Sequence, residues 1–476
     1  MTTFGPTGEV AAVKGRLDHP VIDADGHLLE VLPVVFDLVG DLAGSEVLGR
    51  LRAFNRARFA GNEGFAPVRV FHGLPAANTL DRMTVTLPRL LYARLEEMGV
   101  DFALLYPTFG LALLSCPDDE VRQVTARALN CYYAEAFAGQ RDRLEPVAVI
   151  PTFTPGEAVA ELRHAVGELG LKAVVMSGVV PRPGRPGDPD RPWVDTLGHG
   201  SAHDYDPVWA ACAELGVTPA FHGIGYGWGS RVSTTNYVHN HLGNFAAAQE
   251  AVCRSLVMGG VPRRFPGLRF TFLEGGVSWA AQLYADLLGH FEKRNGDVIA
   301  QFSEANIDLE VVARCHAEWA SGPIAALGGR FTAGVGRAVA AGRAYDAANN
   351  VDDFAATGLG SAADIAAVFG GQFAFGCEAD DPLNALAFGG LLPRGLHLAA
   401  LFASDIGHWD VPDVRQVLPE AWELVGRGQL DLGQFRDFMC GNVVRALTAT
   451  NPRFFDGTAV AGVGARFGRP AGASAP

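Results

Sequence analysis

The chain has 476 residues, 49% apolar and 19% charged, with 58 glycines, 29 phenylalanines and a formal net charge of −14 at pH 7. That composition describes a globular chain with a large core and excludes a disordered or fibrous one. The negative charge argues against nucleic acid or an anionic membrane surface as a partner, because either would repel it.

Chain order brings short apolar runs, rich in β-branched and aromatic residues, separated by helical patterns. The predicted strands are Pro20–Asp25, Asp101–Tyr106, Pro146–Ile150, Lys172–Met176, Thr218–His222, Arg269–Glu274, Phe373–Cys377 and Leu398–Ala403. Between them, 3.6-residue periodicity predicts helices over Val121–Gly139, Pro155–Leu169, Tyr205–Leu215 and Phe245–Met258. Alternating strands and helices imply a parallel sheet, and eight repeats suit closure into a (β/α)8 TIM barrel, here expected as one domain over 16–456. The excess length falls into insertions at about 28–88, 181–203 and 295–371, the last read as helical decoration and a candidate cap for the barrel mouth. The Gly/Ala/Pro-rich tail over 459–476 is expected to fray.

Seven cysteines, at 116, 131, 212, 253, 315, 377 and 440, are scattered, odd in number and never spaced Cys-x-x-Cys. That argues against a disulfide framework and a thiolate zinc site, and for a reducing compartment. The first fifteen residues carry Gly5, Pro6 and Gly8 but no apolar core of signal-peptide length, and no stretch reaches spanning length. The expectation is a soluble cytoplasmic protein.

Polar groups at strand ends are where chemistry is to be sought. Alternate residues of a strand share a face, so Asp23, Asp25 and His27 are expected to project together near the end of the first strand. Three polar groups there are costly unless they bind something, although an Asp25–Gly26 turn would also account for two of them. His222 ends the fifth predicted strand, Glu274 the sixth, and Asp405 follows the eighth. Each alone reads as a satisfied core histidine, a helix cap or a polar loop. Together they point to one end of one barrel, where such folds assemble their catalytic groups.

Other features weigh less. Gly225-Tyr226-Gly227-Trp228-Gly229 reads as an active-site loop whose two aromatics could wall a pocket. His239 and His241 suit loop hydrogen bonding or substrate contact, and Glu378, Asp380 and Asp381 suit capping of the next helix, with lining of the pocket as the lesser alternative. The chain has no Gly-x-Ser-x-Gly elbow and no His-Glu-x-x-His motif, which disfavours serine hydrolases and zincins.

These residues resemble the amidohydrolase-related family that includes the aminocarboxymuconate-semialdehyde decarboxylase group. Asp25-Gly26-His27 stands where that family has His-x-His or Glu-x-His. His222 matches its fifth-strand histidine, and Ser404-Asp405-Ile406-Gly407-His408 its Ser-Asp-x-x-His segment. The run Gly260–Arg269 into the sixth strand, and Glu274–Trp279 after it, also look alike. The resemblance implies one divalent metal, Zn2+ or alternatively Mn2+, held by Asp25, His27, His222 and Asp405. Asp405 or Glu274 would shuttle the proton, and His408 would lie behind the ligands or contact substrate. Met176 stands where a bridging carbamylated lysine would be needed for two metals. The family's decarboxylases carry a histidine where this chain has Glu274, and an ionised carboxylate is a poor proton donor. The expectation is therefore hydrolysis of a small amide, lactone or activated ring by a metal-activated water. The alternative is non-oxidative decarboxylation or hydration of an aromatic or unsaturated acid. A non-catalytic barrel that binds a ligand or a protein is the third reading. The resemblance also implies a homodimer.

Overall fold

The eight apolar runs form eight parallel strands, and their order in the sheet is their order in the chain. A computed structural model describes residues 4–60, 77–184, 188–223, 230, 231, 233, 235–349 and 351–468. The strands are β1 (Ile22–Leu28), β2 (Phe102–Pro107), β3 (Leu144–Val149), β4 (Ala173–Met176), β7 (Pro219–Phe221), β8 (Phe270–Phe272), β9 (Phe373–Glu378) and β10 (Ala399–Ala403). A small antiparallel hairpin, β5 (Val180–Arg182) and β6 (Trp193–Asp195), occupies the loop after β4. The sheet runs β1-β2-β3-β4-β7-β8-β9-β10. Its two ends are drawn together where Asp405 N donates to Asp25 O at 2.9 Å and His27 N donates to Ile406 O at 2.8 Å. This is a (β/α)8 barrel.

The expected helices form with boundaries within a few residues, over Asp119–Ala136, Pro155–Leu162, Asp206–Leu215 and Asn244–Met258. Their starts are set by side chains. Asp118 accepts from Val121 N, and Thr154 and Glu157 complete a capping box. The second helix runs on as a π-helical turn over Arg163–Glu168.

Side-chain size sorts the barrel. Phe270 and Phe272 share one face of β8 and stack with Phe221 at 6.4 and 5.6 Å between ring centroids. Trp209 and Trp279, from neighbouring helices, meet these rings edge-on. The opposite face carries Ala24, Val174, Ala220 and Thr271 around a small internal gap. Phenylalanine and tryptophan rings thus pack between these strands and the helices, while the interior mixes small residues with Leu104, Tyr106 and Leu401.

The chain divides into two compact units, residues 1–283 with 366–476, and Tyr284–Ile365. The second unit is helical. Its longer helices, Leu309–Trp319 and Gly329–Ala348, meet through His316 stacked on Phe331 at 4.6 Å. In the first unit, the segment after β1 forms helices over Leu32–Ala60, Thr79–Thr86 and Pro88–Met98. The tail departs from expectation. Val463–Phe467 is helical, with Val463 and Phe467 buried and the Arg466 guanidinium donating to Asp18 O at 2.7 Å. Two apolar anchors and an ion pair between Arg466 and the Asp18 carboxylate at 3.0 Å hold it, while 469–476 lie outside the described residues. All seven cysteines are free thiols. No described helix is long and apolar enough to cross a membrane.

Candidate metal centre

At the carboxyl ends of the strands, the first, fifth and eighth barrel strands deliver polar side chains to two overlapping triads that share His27. Asp25, His27, His222 and Asp405 are all buried there. His27 Nε2 lies 3.2 Å from His222 Nε2, 3.6 Å from Asp25 Oδ1 and 3.4 Å from Asp405 Oδ1. The ligand atoms of Asp25, His27 and His222 lie within 4.8 Å of one another, as do those of His27, Asp405 and His408. His408 Nδ1 approaches Asp405 Oδ1 to 2.7 Å, and its ring stacks on His27 at 3.8 Å. Glu274 Oε2 sits 2.8 Å from His222 Nε2. Asp25, His27, His222, Glu274, Asp405 and His408 thus lie close together, as the sequence led us to expect.

The backbone is bent to make it. Asp405 and Glu274 both adopt left-handed conformations, with φ of 50° and 57°. Such angles are uncommon for residues with a Cβ, and here they fall on two acids of one cluster. Gly407, at φ 106°, passes so close that an added Cβ would lie 3.0 Å from the His27 carbonyl oxygen. The segment after β10 can wrap against β1 only with glycine at that place.

The electrostatics ask for a cation. Burial lowers the pKa of His222, and its Nδ1–H donates to Gly223 O at 2.6 Å, so the neutral ring turns the Nε2 lone pair toward His27. Burial, and then neighbouring carboxylates, push Asp25 and Asp405 well above the usual carboxylate range. Asp25 Oδ1 is buried with no hydrogen-bond partner among the described residues. Gathering acids and unprotonated imidazole nitrogens this closely is expensive unless a positive ion shares them. Two nitrogens and two carboxylates suit Zn2+ or Mn2+.

Asp23 is not part of the cluster. From Asp23/Ala103 to Gly26/Leu105, β1 takes three steps while β2 takes two, so an extra residue interrupts the alternation. Asp23 instead accepts from Ser404 N at 3.0 Å, Ser404 Oγ at 2.5 Å and Asp25 N at 3.2 Å. It ties the seam between β1 and β10, and its pKa is raised to about 6 by burial, against those hydrogen bonds.

The family model for amidohydrolase matches residues 117–348, which is 232 of the 476. The chain matches the amidohydrolase family. His222 and Glu274 fall within that match, whereas Asp25, His27 and Asp405 are placed beside them by the barrel. Solved structures of similar fold include 5-carboxyvanillate decarboxylase from Sphingomonas paucimobilis, at 15% identity and TM-score 0.51, covering 90% of this chain and 98% of that one. The 5-carboxyvanillate decarboxylase from Novosphingobium aromaticivorans, solved with manganese and 3-methoxy-4-hydroxy-5-nitrobenzoic acid, has 11% identity and TM-score 0.51 over 94% and 99%. An amidohydrolase from Mycobacterium avium subsp. paratuberculosis K-10 has 17% identity and TM-score 0.50 over 90% and 100%. At these identities the likeness establishes the fold. No curated protein matches the chain.

Several residues near the centre, Asp410, Tyr237, Trp409 and Glu30 among them, escaped the sequence reading. Asp410 hydrogen-bonds the Asp405 carboxyl and raises its pKa, and its charge also raises those of Glu274 and Glu378. Glu378 ends β9, and burial followed by Asp410 and Glu274 pushes it up to about 8. Only Asp381 of the acids expected to cap does so, accepting from Leu383 N at 2.8 Å. Tyr237 and Trp409 are joined by a side-chain hydrogen bond. Glu30 accepts from the amides of Phe109 and Gly110 and from Tyr133 Oη, fixing the turn after β2 whose Thr108 Oγ1 lies 3.4 Å from His408 Nε2. These residues sit in loops or at the ends of short elements, where no periodicity marks a side chain as facing the centre. His239 and His241 diverge. His239 is exposed, and His241 packs among aromatic rings. Tyr226 and Trp228 lie outside the described residues.

Proposed function

We propose that this protein is a metal-dependent enzyme that decarboxylates an aromatic or unsaturated carboxylic acid. The observation that carries the reading is the convergence of Asp25, His27, His222 and Asp405, with the Glu274 carboxyl 2.8 Å from His222 Nε2. The four would hold one divalent ion, zinc or manganese. A bound ion would supply Lewis acidity, polarising an oxygen of the substrate. The chain's own acids do the rest. Decarboxylation breaks the bond between carbon and carboxylate, releases CO2 and needs one proton at the carbon left behind. Glu274, buried and crowded by Asp410, favours its protonated form and is placed to give that proton. Against the ionised Glu274 that disfavours decarboxylation, burial and the charge of Asp410 raise its pKa, which supports the protonated form. The fold likeness to two 5-carboxyvanillate decarboxylases supports the same choice.

Hydrolysis of a small amide, lactone or activated ring is the second reading, favoured by the contact of Glu274 with His222. An ionised Glu274 there would orient and deprotonate a water. The two are separated by supplying the metal-loaded protein with a panel of hydroxybenzoic and unsaturated acids in 18O-labelled water. Stoichiometric CO2 with no label in the product is expected. Labelled product without CO2 hands the case to hydrolysis.

A further inference from the structure

Beside the metal centre stands a continuous wall of rings that the chemistry so far leaves unused. It begins at His222, whose ring meets Phe245 edge-on at 5.8 Å. Phe245 meets His241 at 5.1 Å, His241 meets Trp409 at 5.5 Å, and Tyr237 meets both at 5.2 and 5.9 Å. The Trp409 indole N–H donates to the Tyr237 hydroxyl, the one direction an indole allows. That bond and the 5.9 Å edge-on ring contact bring together two large side chains from segments more than 170 residues apart in the sequence. Trp409 directly follows His408 and remains 37% exposed, so the wall runs from the buried imidazole of His222 out to solvent. A rigid, half-exposed aromatic wall joined to a polar centre has a specific use. It offers π-faces and edges to a flat conjugated ring whose polar end lies at the centre, and it offers a flexible saturated chain much less.

We propose that Tyr237, His241 and Trp409 form an aromatic clamp that selects planar, conjugated acids over saturated ones. This rests on the centre being a site for organic acids, and it adds the residues that set specificity. Held by its hydrogen bond, Trp409 needs little ordering on binding, so the clamp discriminates by shape and ring electronics.

The test uses manganese-loaded full-length protein and calorimetric binding of two probes. One is 3-methoxy-4-hydroxy-5-nitrobenzoic acid; the other is cyclohexanecarboxylic acid, which keeps the carboxylate and loses planarity. The native protein is expected to prefer the aromatic probe. Trp409→Leu and Tyr237→Leu should each weaken that probe by about tenfold and leave the saturated one within about twofold. Trp409→Phe should restore most of the preference, and manganese content should equal that of the native protein in every variant. Native protein that binds both probes equally, or leucine variants that keep the full preference, would overturn the clamp. Equal weakening of both probes with manganese lost would overturn it too, since the rings would then be serving only the fold. An aromatic preference that depends on Trp409 in a protein releasing no CO2 from any acid would uphold the clamp and overturn the decarboxylase reading. CO2 release that is indifferent to Trp409 and Tyr237 would do the reverse.

Discussion

The Nε2 atoms of His27 and His222 face each other at 3.2 Å, in a place where neither ring meets solvent. With His222 Nδ1–H committed to Gly223 O, the facing atom of His222 is a lone pair. Bringing it against a second imidazole and a carboxylate is the arrangement on which the proposed metal centre rests.

The first prediction follows from that pair. Protein purified after growth with added zinc and manganese is expected to carry about one equivalent of divalent metal per chain. His222→Ala should lower that content at least about tenfold, because removal of one ligand also leaves Asp25 and Asp405 poorly compensated. Elemental analysis decides it, and a variant that keeps full metal would show that His222 is no ligand.

Asp405 combines ligand geometry with proton-accepting capacity. Asp405→Asn keeps the volume and removes the charge, so turnover should fall by about 10²–10⁴-fold on the true substrate. The thermal unfolding midpoint of the metal-free protein should not fall, since a neutral amide relieves the crowding with Asp410 and Glu274. Near-normal turnover in this variant would remove Asp405 from the chemistry.

Glu378 makes a pH-dependent prediction for the metal-free protein. Its folded pKa, about 8, stands above the ordinary glutamate value of 4.5, so the folded state binds the proton more tightly than the unfolded chain. Its contribution to stability is therefore most favourable at low pH. It declines as pH rises from about 4.5 to about 8, where the buried group ionises, and is constant above that. Glu378→Gln should flatten this decline in urea unfolding followed between those pH values. An unchanged slope would mean that the carboxyl is better solvated than its position indicates.

Ser404 tests the seam. Ser404→Ala removes the hydroxyl that donates to Asp23 Oδ2 at 2.5 Å and leaves a buried carboxylate oxygen short of a partner. The expected cost is about 1–3 kcal/mol in urea denaturation. Metal content should stay close to native, because Asp23 lies outside the ligand cluster. Loss of metal at unchanged stability would place Asp23 in the centre after all.

What the chain decides by itself, and what it leaves to folding, divides along a physical line. Strands such as Pro219–Phe221 and Phe270–Phe272 are short apolar runs, so their ends are visible as the first polar residue, here His222 and, two positions on, Glu274. A parallel barrel then sends all such ends to one rim, which is why Asp25, His27, His222 and Asp405 could be grouped before any coordinates. Local alternation misplaced Asp23, because one extra residue in β1 inverts the phase and only pairing with β2 reveals it. Asp410, Glu378, Tyr237 and Trp409 lie in loops or at loop margins, where facing is set by contacts with distant segments. The protonation preference of Glu274, on which the choice of reaction turns, comes from burial and from Asp410, a neighbour 136 positions away in the sequence (410 − 274). Composition and periodicity report what a residue is and which local face it takes. The dielectric around it and the charges beside it exist only once the barrel has closed.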